Sequence, residues 1–196
     1  MGRPAKYSTG EILDTTARLV AEGGPGLATI AAIAGQLKAP SGSIYHRFAS
    51  RDLLLAHLWV RTVREAQEGF VAALRIDDVE EAAVAAALHI PRWSRAHLDQ
   101  AQVLLLYRRE DLVERWPDEL GHELTTLNDG VTKALTAYTR RRFGSANQRT
   151  RQAVSFALVD VPYAAVRRYL HAGEPPPTTV DDLVRQACTC VLAVLD

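Results

Sequence analysis

Cysteine is scarce in this 196-residue sequence, which contains only Cys188 and Cys190. The late segment that carries both residues has the apolar spacing of a helix. Residues two apart on a helix point about 200° away from each other, which disfavours a disulfide or a two-thiolate metal clamp between them. We interpret both as small apolar packing residues.

Long apolar runs and net charge are also absent. No hydrophobic signal region follows Met1, and no apolar stretch reaches the length of a membrane span, so we expect a soluble cytoplasmic protein with no membrane partner. The 23 Lys and Arg residues balance 23 Asp and Glu residues. Their distribution is uneven, because residues 1–51 carry a net charge of +3 and the remainder −3. A basic N-terminal lobe fits local phosphate contact without general affinity for polyanions.

Motifs that carry enzymatic chemistry are missing. The sequence contains no HExxH motif, glycine-rich phosphate loop, G-x-S-x-G elbow or Cys–His pair. The six histidines are dispersed, and only His89, His97 and His122 could converge on a metal in the folded body. We therefore predict no enzymatic activity, no catalytic residues, no cofactor and no metal site.

The periodicity of apolar residues is helical throughout, with no strand alternation, repeat or low-complexity tract. A capping box at Ser8 and Glu11 opens the first helix, and Ser50 can cap the fourth. Further helices are predicted at 78–97, with a kink at Pro91, and at 99–115, 118–142, 148–172 and 179–195. The fold class is all-α, with about nine helices, divided into an N-terminal arm and three-helix domain at 1–52 and a helical body at 53–196.

The most informative stretch is 29–54, which reads TIAAIAGQLKAPSGSIYHRFASRDLL. Its first part has the apolar stripe of a short amphipathic helix, and Pro40 favours the start of a second helix from about Ser41 to Phe48. Two short helices joined by a tight turn form a helix-turn-helix, whose second helix can enter the DNA major groove. An ordinary helical hairpin is the alternative.

The second helix has one face suited to contact. With Ile44 and Phe48 facing inward at about 100° per residue, Gly42 and His46 project outward and Ser43 and Tyr45 flank them. Gly42 allows close approach of the backbone to DNA, and the Tyr45 hydroxyl can donate to a phosphate. The basic residues Arg47 and Arg51 follow closely.

This segment resembles the DNA-binding domain of the tetracycline-repressor (TetR/AcrR) family over roughly the first 65 residues. The matching positions are Thr29, Ile33-Ala34, Gly42-Ser43-Ile44-Tyr45-His46-Arg47-Phe48, Arg51 and Leu53-Leu54. At the turn, Leu37-Lys38 replace the usual Ala-Gly, and we expect a wider turn there because lysine is strained in a left-handed conformation.

The resemblance implies further DNA contacts. In the family an N-terminal arm can reach the DNA backbone or minor groove, although an untethered tail is the alternative for this arm. The residue at the position of Thr29, a plausible helix N-cap, can also touch the operator backbone. The predicted DNA-binding set is Arg3, Lys6, Thr29, Ser41, Gly42, Ser43, Tyr45, His46, Arg47 and Arg51.

The resemblance also favours a ligand pocket in the body, where aromatic residues and a few polar ones could instead be plain core. The predicted lining is Trp93, His97, Tyr107, Trp116, His122, Tyr138, Phe156, Asp160 and Tyr163. Pro162, inside a helical run, is expected to kink the helix around such a cavity. The basic run Arg140–Arg142 is interpreted as a solvated helix end in preference to an anion site.

Apolar spacings of about four residues on the last two helices predict the dimer interface. The family's corresponding helices pair as a four-helix bundle across a two-fold axis. The predicted interface residues are Val166, Leu170, Leu183, Ala187, Val191 and Leu195.

The resemblance implies a homodimeric, ligand-responsive transcriptional repressor that binds a palindromic operator and is released by a small apolar effector. The alternative is a DNA-binding protein whose body serves only dimerisation or partner binding. An enzyme with an all-α metal site is the third hypothesis.

Overall fold

The computed structural model describes residues 7–195, so Arg3 and Lys6 lie outside the described part. Every regular element within it is helical, which confirms the all-α prediction. The helices are α1 Thr9–Gly23, α2 Ile30–Leu37, α3 Ser41–Tyr45, α4 Arg51–Ala73, α5 Val79–Ala96, α6 Leu98–Val103, α7 Arg109–Arg115, α8 Pro117–Thr126, α9 Asp129–Phe143, α10 Gln148–Ser155, α11 Val161–Ala172 and α12 Thr179–Ala193. A π-helical turn, Phe156–Asp160, joins α10 to α11.

The chain divides into two compact units that do not follow the predicted boundary at 52–53. Among the described residues, the first unit comprises 7–62 and 99–124, and the second comprises 63–98 and 125–195. The first half of α4 belongs to the first unit because it packs there. Trp59 is buried and its Nε1 donates to the carbonyl of Leu104, 3.3 Å away.

The first unit begins as the sequence predicts. Ser8 caps α1 by accepting from the Glu11 amide, and the Glu11 carboxylate accepts from the Ser8 amide in return. The core beneath consists of residues that are almost completely inaccessible, among them Ile12, Ile33 and Leu54. Ser50 accepts from the amide of Leu53 at the start of α4, as expected.

Two long predicted helices are each divided in the structure. The segment 99–115 is interrupted at 104–108, where Leu104–Tyr107 are four consecutive apolar residues. A continuous helix would distribute such a run around its whole circumference, whereas the irregular segment leaves all four half-buried. The segment 118–142 is interrupted at 127–128, between α8 and α9.

The second unit is built around the small residues of α5, which pack against α11 and α12. Pro91 is buried inside α5 without ending it. Pro162 is buried near the start of α11, directly after the π-helical turn, where the Val161 amide donates to the Phe156 carbonyl five residues earlier. Because proline lacks an amide hydrogen and collides with the carbonyl four residues before it, the wider turn accommodates Pro162.

Candidate nucleic-acid interface and body surfaces

The turn between α2 and α3 is tight. Lys38 is left-handed, with φ 51° and ψ 41°, and is the one non-glycine residue with positive φ among the described residues. Its amide donates to Gly35, and the Ala39 amide donates to the Ala34 carbonyl, 2.9 Å away. These are the two bonds of a Schellman motif, which glycine usually closes. The expected widening of the turn was wrong, because Lys38 adopts the strained conformation instead.

Helix α3 ends at Tyr45, earlier than predicted, but its buried and exposed faces are those that the sequence predicts. Ile44 is fully buried, whereas the predicted contacts Ser41, Gly42 and His46 are exposed and Tyr45 is 54% exposed. Ser43 is half-buried, and its hydroxyl donates to the carbonyl of Pro40 at 2.7 Å. Thr29 is exposed and caps α2 by accepting from the Ala32 amide. An α-helix such as α3 fits the DNA major groove, and the exposed residues of α3 are small or can form hydrogen bonds.

The two arginines near α3 are held by backbone carbonyls. Arg51 donates from Nε to Ala28, 2.9 Å away, and from Nη2 to Pro25, so it ties the start of α4 to the loop after α1. Its Nη1 lies 3.5 Å from Asp52. Arg51 therefore holds two backbone segments together, and its assignment as a phosphate contact was wrong. Arg47 donates to the carbonyl of Ser43 and is half-buried.

Two residues at this surface were missed from the sequence. Lys38 is exposed in the turn beside α3 and supplies a cation there. The hydroxyl of Tyr7 donates to the Lys38 carbonyl at 2.7 Å, which attaches the segment before α1 to the turn. The departure of Lys38 from the family pattern was the available signal. No sequence signal pointed to Tyr7, because its contact with Lys38 spans 31 residues of sequence.

The predicted pocket residues are divided between the two units. Tyr107, Trp116 and His122 belong to the first unit and the other six to the second. Phe156, Asp160 and Tyr163 are exposed, and their assignment to a pocket stays a prediction. The aromatic rings instead form local pairs, with centroids 5.5 Å apart for Trp93 and His97 and 6.5 Å for Tyr107 and Trp116.

A different depression lies in the second unit between α4 and α9, with a volume of about 450 Å³. Of the predicted pocket residues it includes only Tyr138, whose hydroxyl donates to the Val79 carbonyl and whose pKa is raised by burial to about 12. We call it the α4–α9 groove. Its lining is Val71, Leu74, Arg75, Gly130, Lys133, Ala134, Ala137, Tyr138 and Arg141.

The basic run at the end of α9 is only partly a solvated helix end. Arg140 is exposed, as expected. Arg141 donates through Nη2 to the carbonyls of Leu74 and Ile76, at 3.1 and 2.7 Å. Arg142 forms an ion pair with Glu80 and its side chain is 6% exposed. The interpretation as a solvated helix end was therefore wrong for Arg142, whereas Arg141 is exposed as expected, although its guanidinium also binds backbone carbonyls.

The predicted dimer residues divide by burial. Val166 and Leu170 are 1% and 3% exposed and belong to the chain's own core, so they are not available to a partner. Leu183 is 64% exposed, and Ala187, Val191 and Leu195 are half-buried. We group Leu183, Ala187 and Val191 with three exposed apolar residues, namely Phe156 in the π-helical turn, Tyr163 on α11 and Val194 directly after α12, and call these six the exposed apolar face of α11 and α12.

The two cysteines differ in environment. Cys188 is buried, and its thiol lies 3.9 Å from the Ala83 carbonyl, as expected of a packing residue. Cys190 is exposed, so its assignment to packing was wrong for this chain alone. Within residues 7–195 no three His, Cys, Asp or Glu side chains are grouped to hold a metal, and no helix there has the length and hydropathy to cross a membrane.

Residues 12–58 match the family described as "Bacterial regulatory proteins, tetR family". The matched segment contains the whole helix-turn-helix, and the match confirms the resemblance of this part of the chain to that family. No curated protein matches the chain significantly.

Solved structures share the fold along almost the whole chain. A member of the TetR family from Streptomyces coelicolor A3 is 17% identical, with a TM-score of 0.61, over 93% of this chain and 96% of its own. The fatty acid degradation regulator FadR from Bacillus halodurans is 17% identical, with a TM-score of 0.65, over 98% and 96%. A protein of Shewanella sp. PV-4 assigned to tetR family transcription regulators is 18% identical, with a TM-score of 0.64, over 95% and 96%. The chain has the fold of tetR family transcription regulators.

Proposed function

We propose that this protein is a DNA-binding transcriptional regulator that acts in the cytoplasm as a ligand-responsive repressor. The observation that carries the proposal is the outward face of α3, where Ser41, Gly42, Tyr45 and His46 are exposed on a helix fixed from behind by the buried Ile44. Such a face can read base edges through His46 and hold phosphate through Tyr45.

A homodimer on a palindromic operator follows from the same proposal. Two recognition helices must lie about one helical turn apart, roughly 34–36 Å, to read successive major grooves. The exposed apolar face of α11 and α12 supports self-association, because large apolar side chains such as Leu183 and Val194 are left in solvent by a single chain. We propose that this face carries the dimer contact.

Release by an effector is the third part of the proposal. The effector is mostly apolar and binds the body, where the α4–α9 groove has an apolar floor of side chains such as Val71 and Ala134. The groove favours this function over a regulator without an effector, whose body would serve only dimerisation. A ligand that prefers another arrangement of the helices weakens DNA binding by population shift.

Two glycine substitutions test the DNA-binding surface. Gly42 and Gly35 are both exposed helical glycines with no heavy atom near the position of a new Cβ. Alanine at either position should therefore leave the fold intact and add helix propensity. After selection of an operator from randomised duplexes, Gly42→Ala should weaken operator binding at least tenfold because a methyl group then separates α3 from DNA.

Gly35→Ala is the matched control and should bind the operator as the unmodified protein does. Affinities are measured by fluorescence anisotropy at fixed salt, since phosphate contacts make them salt-dependent. Equal affinity of the two alanine variants would exclude α3 as the DNA-contacting element. Failure of selection to enrich any duplex would exclude sequence-specific DNA binding itself.

A further inference from the structure

The α4–α9 groove combines an apolar floor with positive charge. Its apolar lining comes from Val71 and Leu74 on the α4 side and from Ala134, Ala137 and Tyr138 on α9. A volume of about 450 Å³ falls within the range of small-molecule sites in proteins. An occupant that covers these side chains gains affinity from the apolar area removed from water.

Three cations lie on the lining of the same groove: Arg75, Lys133 and Arg141. No acidic residue lines it. Arg75 and Lys133 are exposed, and neither forms an ion pair within the described residues. Like charges collected around an apolar surface repel one another, so an anion placed among them is stabilised by all three.

One of the cations is held in position before any ligand binds. Nη2 of Arg141 donates to the carbonyls of Leu74 and Ile76, and the guanidinium carbon lies 6.0 Å from the Tyr138 ring centroid. Arginine carries five N–H donors, so a guanidinium anchored through one nitrogen keeps donors for an anionic group. An anchored side chain also loses less conformational entropy on binding than a free one.

The groove continues along the same helices. A second depression of about 520 Å³ shares Val71, Arg75 and Gly130 with it. Its remaining lining consists of the apolar residues Leu127 and Val131 and the polar residues Arg64, Gln67 and Glu68. Glu68 is the one acidic residue among the lining of this extension. The extension gives an elongated apolar tail a path along α4, away from Lys133 and Arg141.

From this combination we propose that the α4–α9 groove binds an amphipathic anion, namely an unbranched apolar tail that ends in a single anionic head group. The tail lies on the alanine and leucine floor, and Arg75, Lys133 and Arg141 bind the head. Only the identification of this molecule as the effector rests on the proposed function. Binding in the groove is independent of DNA.

Calorimetric titration of the full chain with decanoate tests the proposal, with decanol and inorganic phosphate as separate probes. Decanoate should bind saturably with one site per chain. Decanol, which has the tail without the charge, and phosphate, which has charge without the tail, should each bind about tenfold more weakly or not at all. Equal affinity for decanoate and either partial probe would overturn the proposal.

Variants then locate the site. Arg75→Gln with Lys133→Gln should weaken decanoate binding about tenfold, and Ala137→Phe should abolish it by filling the groove. Arg140→Gln removes a cation from an exposed position of α9 outside the lining and should leave binding unchanged. Circular dichroism confirms that each variant is folded. An equal loss in Arg140→Gln and in the double variant would overturn the assignment to the groove, as would undiminished binding by Ala137→Phe.

An operator-release assay separates this inference from the proposed function. If decanoate binds with the expected variant pattern but operator DNA stays bound, binding in the groove is supported and decanoate is excluded as the effector. If the chain binds operator DNA but shows no saturable binding of decanoate, the proposed anion site in the groove is wrong and the proposed DNA-binding function is unaffected.

Discussion

The imidazole of His89 on α5 lies directly against the Cα of Gly69 on α4. A Cβ built on Gly69 would overlap the Cε1 and Nδ1 atoms of that ring. The ring is fixed by its Nε2, which lies 2.8 Å from the Ala66 carbonyl. Because a carbonyl oxygen can only accept, this bond requires the proton to be on Nε2. The absence of a side chain at position 69 therefore sets how closely the two helices approach.

Gly69→Ala is expected to lower the free energy of unfolding by about 1–2 kcal/mol, although alanine is the better helix former. The ring must leave its place, and its hydrogen bond to Ala66 is then lost. Urea unfolding followed by circular dichroism measures the change. Gly35→Ala, in open space on α2, is the control and should gain up to about 1 kcal/mol. Similar gains in both variants would show that the His89 ring moves freely.

Stability should fall as the pH is lowered below about 6.5. Burial lowers the pKa of His89 from its ordinary value of 6.5, and the hydrogen bond to Ala66 opposes this only in part. The unfolded chain then binds a proton at a pH where the folded chain does not, so stability is complete above pH 6.5 and decreases down to the folded pKa.

Substitution separates the contribution of this histidine. His89→Gln retains an amide donor that can reach the Ala66 carbonyl but does not titrate. Unfolding free energies at pH 7.5 and 5.5 should therefore differ less in this variant than in the unmodified chain. His57, whose pKa is also lowered by burial, should contribute a further share, tested by His57→Gln. A pH dependence that both variants leave unchanged would assign it to other groups.

Lys38→Gly should stabilise the protein by about 0.5–1 kcal/mol. Glycine adopts the left-handed conformation of this turn at little cost, and part of that gain is offset by the greater freedom of glycine in the unfolded chain. Lys38→Ala is the matched control, because it removes the same charge and keeps the strain. Both variants should lose DNA affinity equally, with a salt slope smaller by about 1. Equal stability of the two variants would exclude strain at this position.

Leu183→Glu should convert a dimer to monomers without unfolding the chain. The side chain is 64% exposed in one chain, so a carboxylate there is solvated in the monomer and buried without a partner in the proposed dimer. Sedimentation velocity measures the change. Leu27→Glu introduces the same charge at an exposed leucine of the N-terminal unit and should leave association unaltered. An unchanged dimer for Leu183→Glu would move the interface to another surface.

The helix-turn-helix was predictable because its signals are local. The period of Ile33 and Ala34, the break at Pro40 and the inward placement of Ile44 are all set within a few residues, and the structure bears them out. Arg51 was misassigned for the opposite reason. Its partners Ala28 and Pro25 lie more than twenty residues away in sequence, and an arginine near a recognition helix has the same sequence signature in either role.

In the helical body, too, local helices were predictable and contacts between distant residues were not. Helical periodicity located its helices but did not tell which of two apolar faces is covered by the chain itself. Val166 and Tyr163 are both apolar positions of α11, yet one is buried and the other is 40% exposed. The α4–α9 groove was not predictable either, since it joins positions about sixty residues apart, such as Leu74 and Ala134.

The π-helical turn at Phe156–Asp160 rotates the side chains of α11 about the helix axis relative to those of α10. It contains one residue more than an α-helical turn needs, and one residue corresponds to about 100° of rotation. A chain shortened by one residue in this turn would carry the same α11 side chains rotated by that angle. Val166 would then leave the core, and Tyr163 would leave the exposed apolar face. The apolar surface that α11 exposes thus depends on a single additional peptide unit that lies before the helix begins.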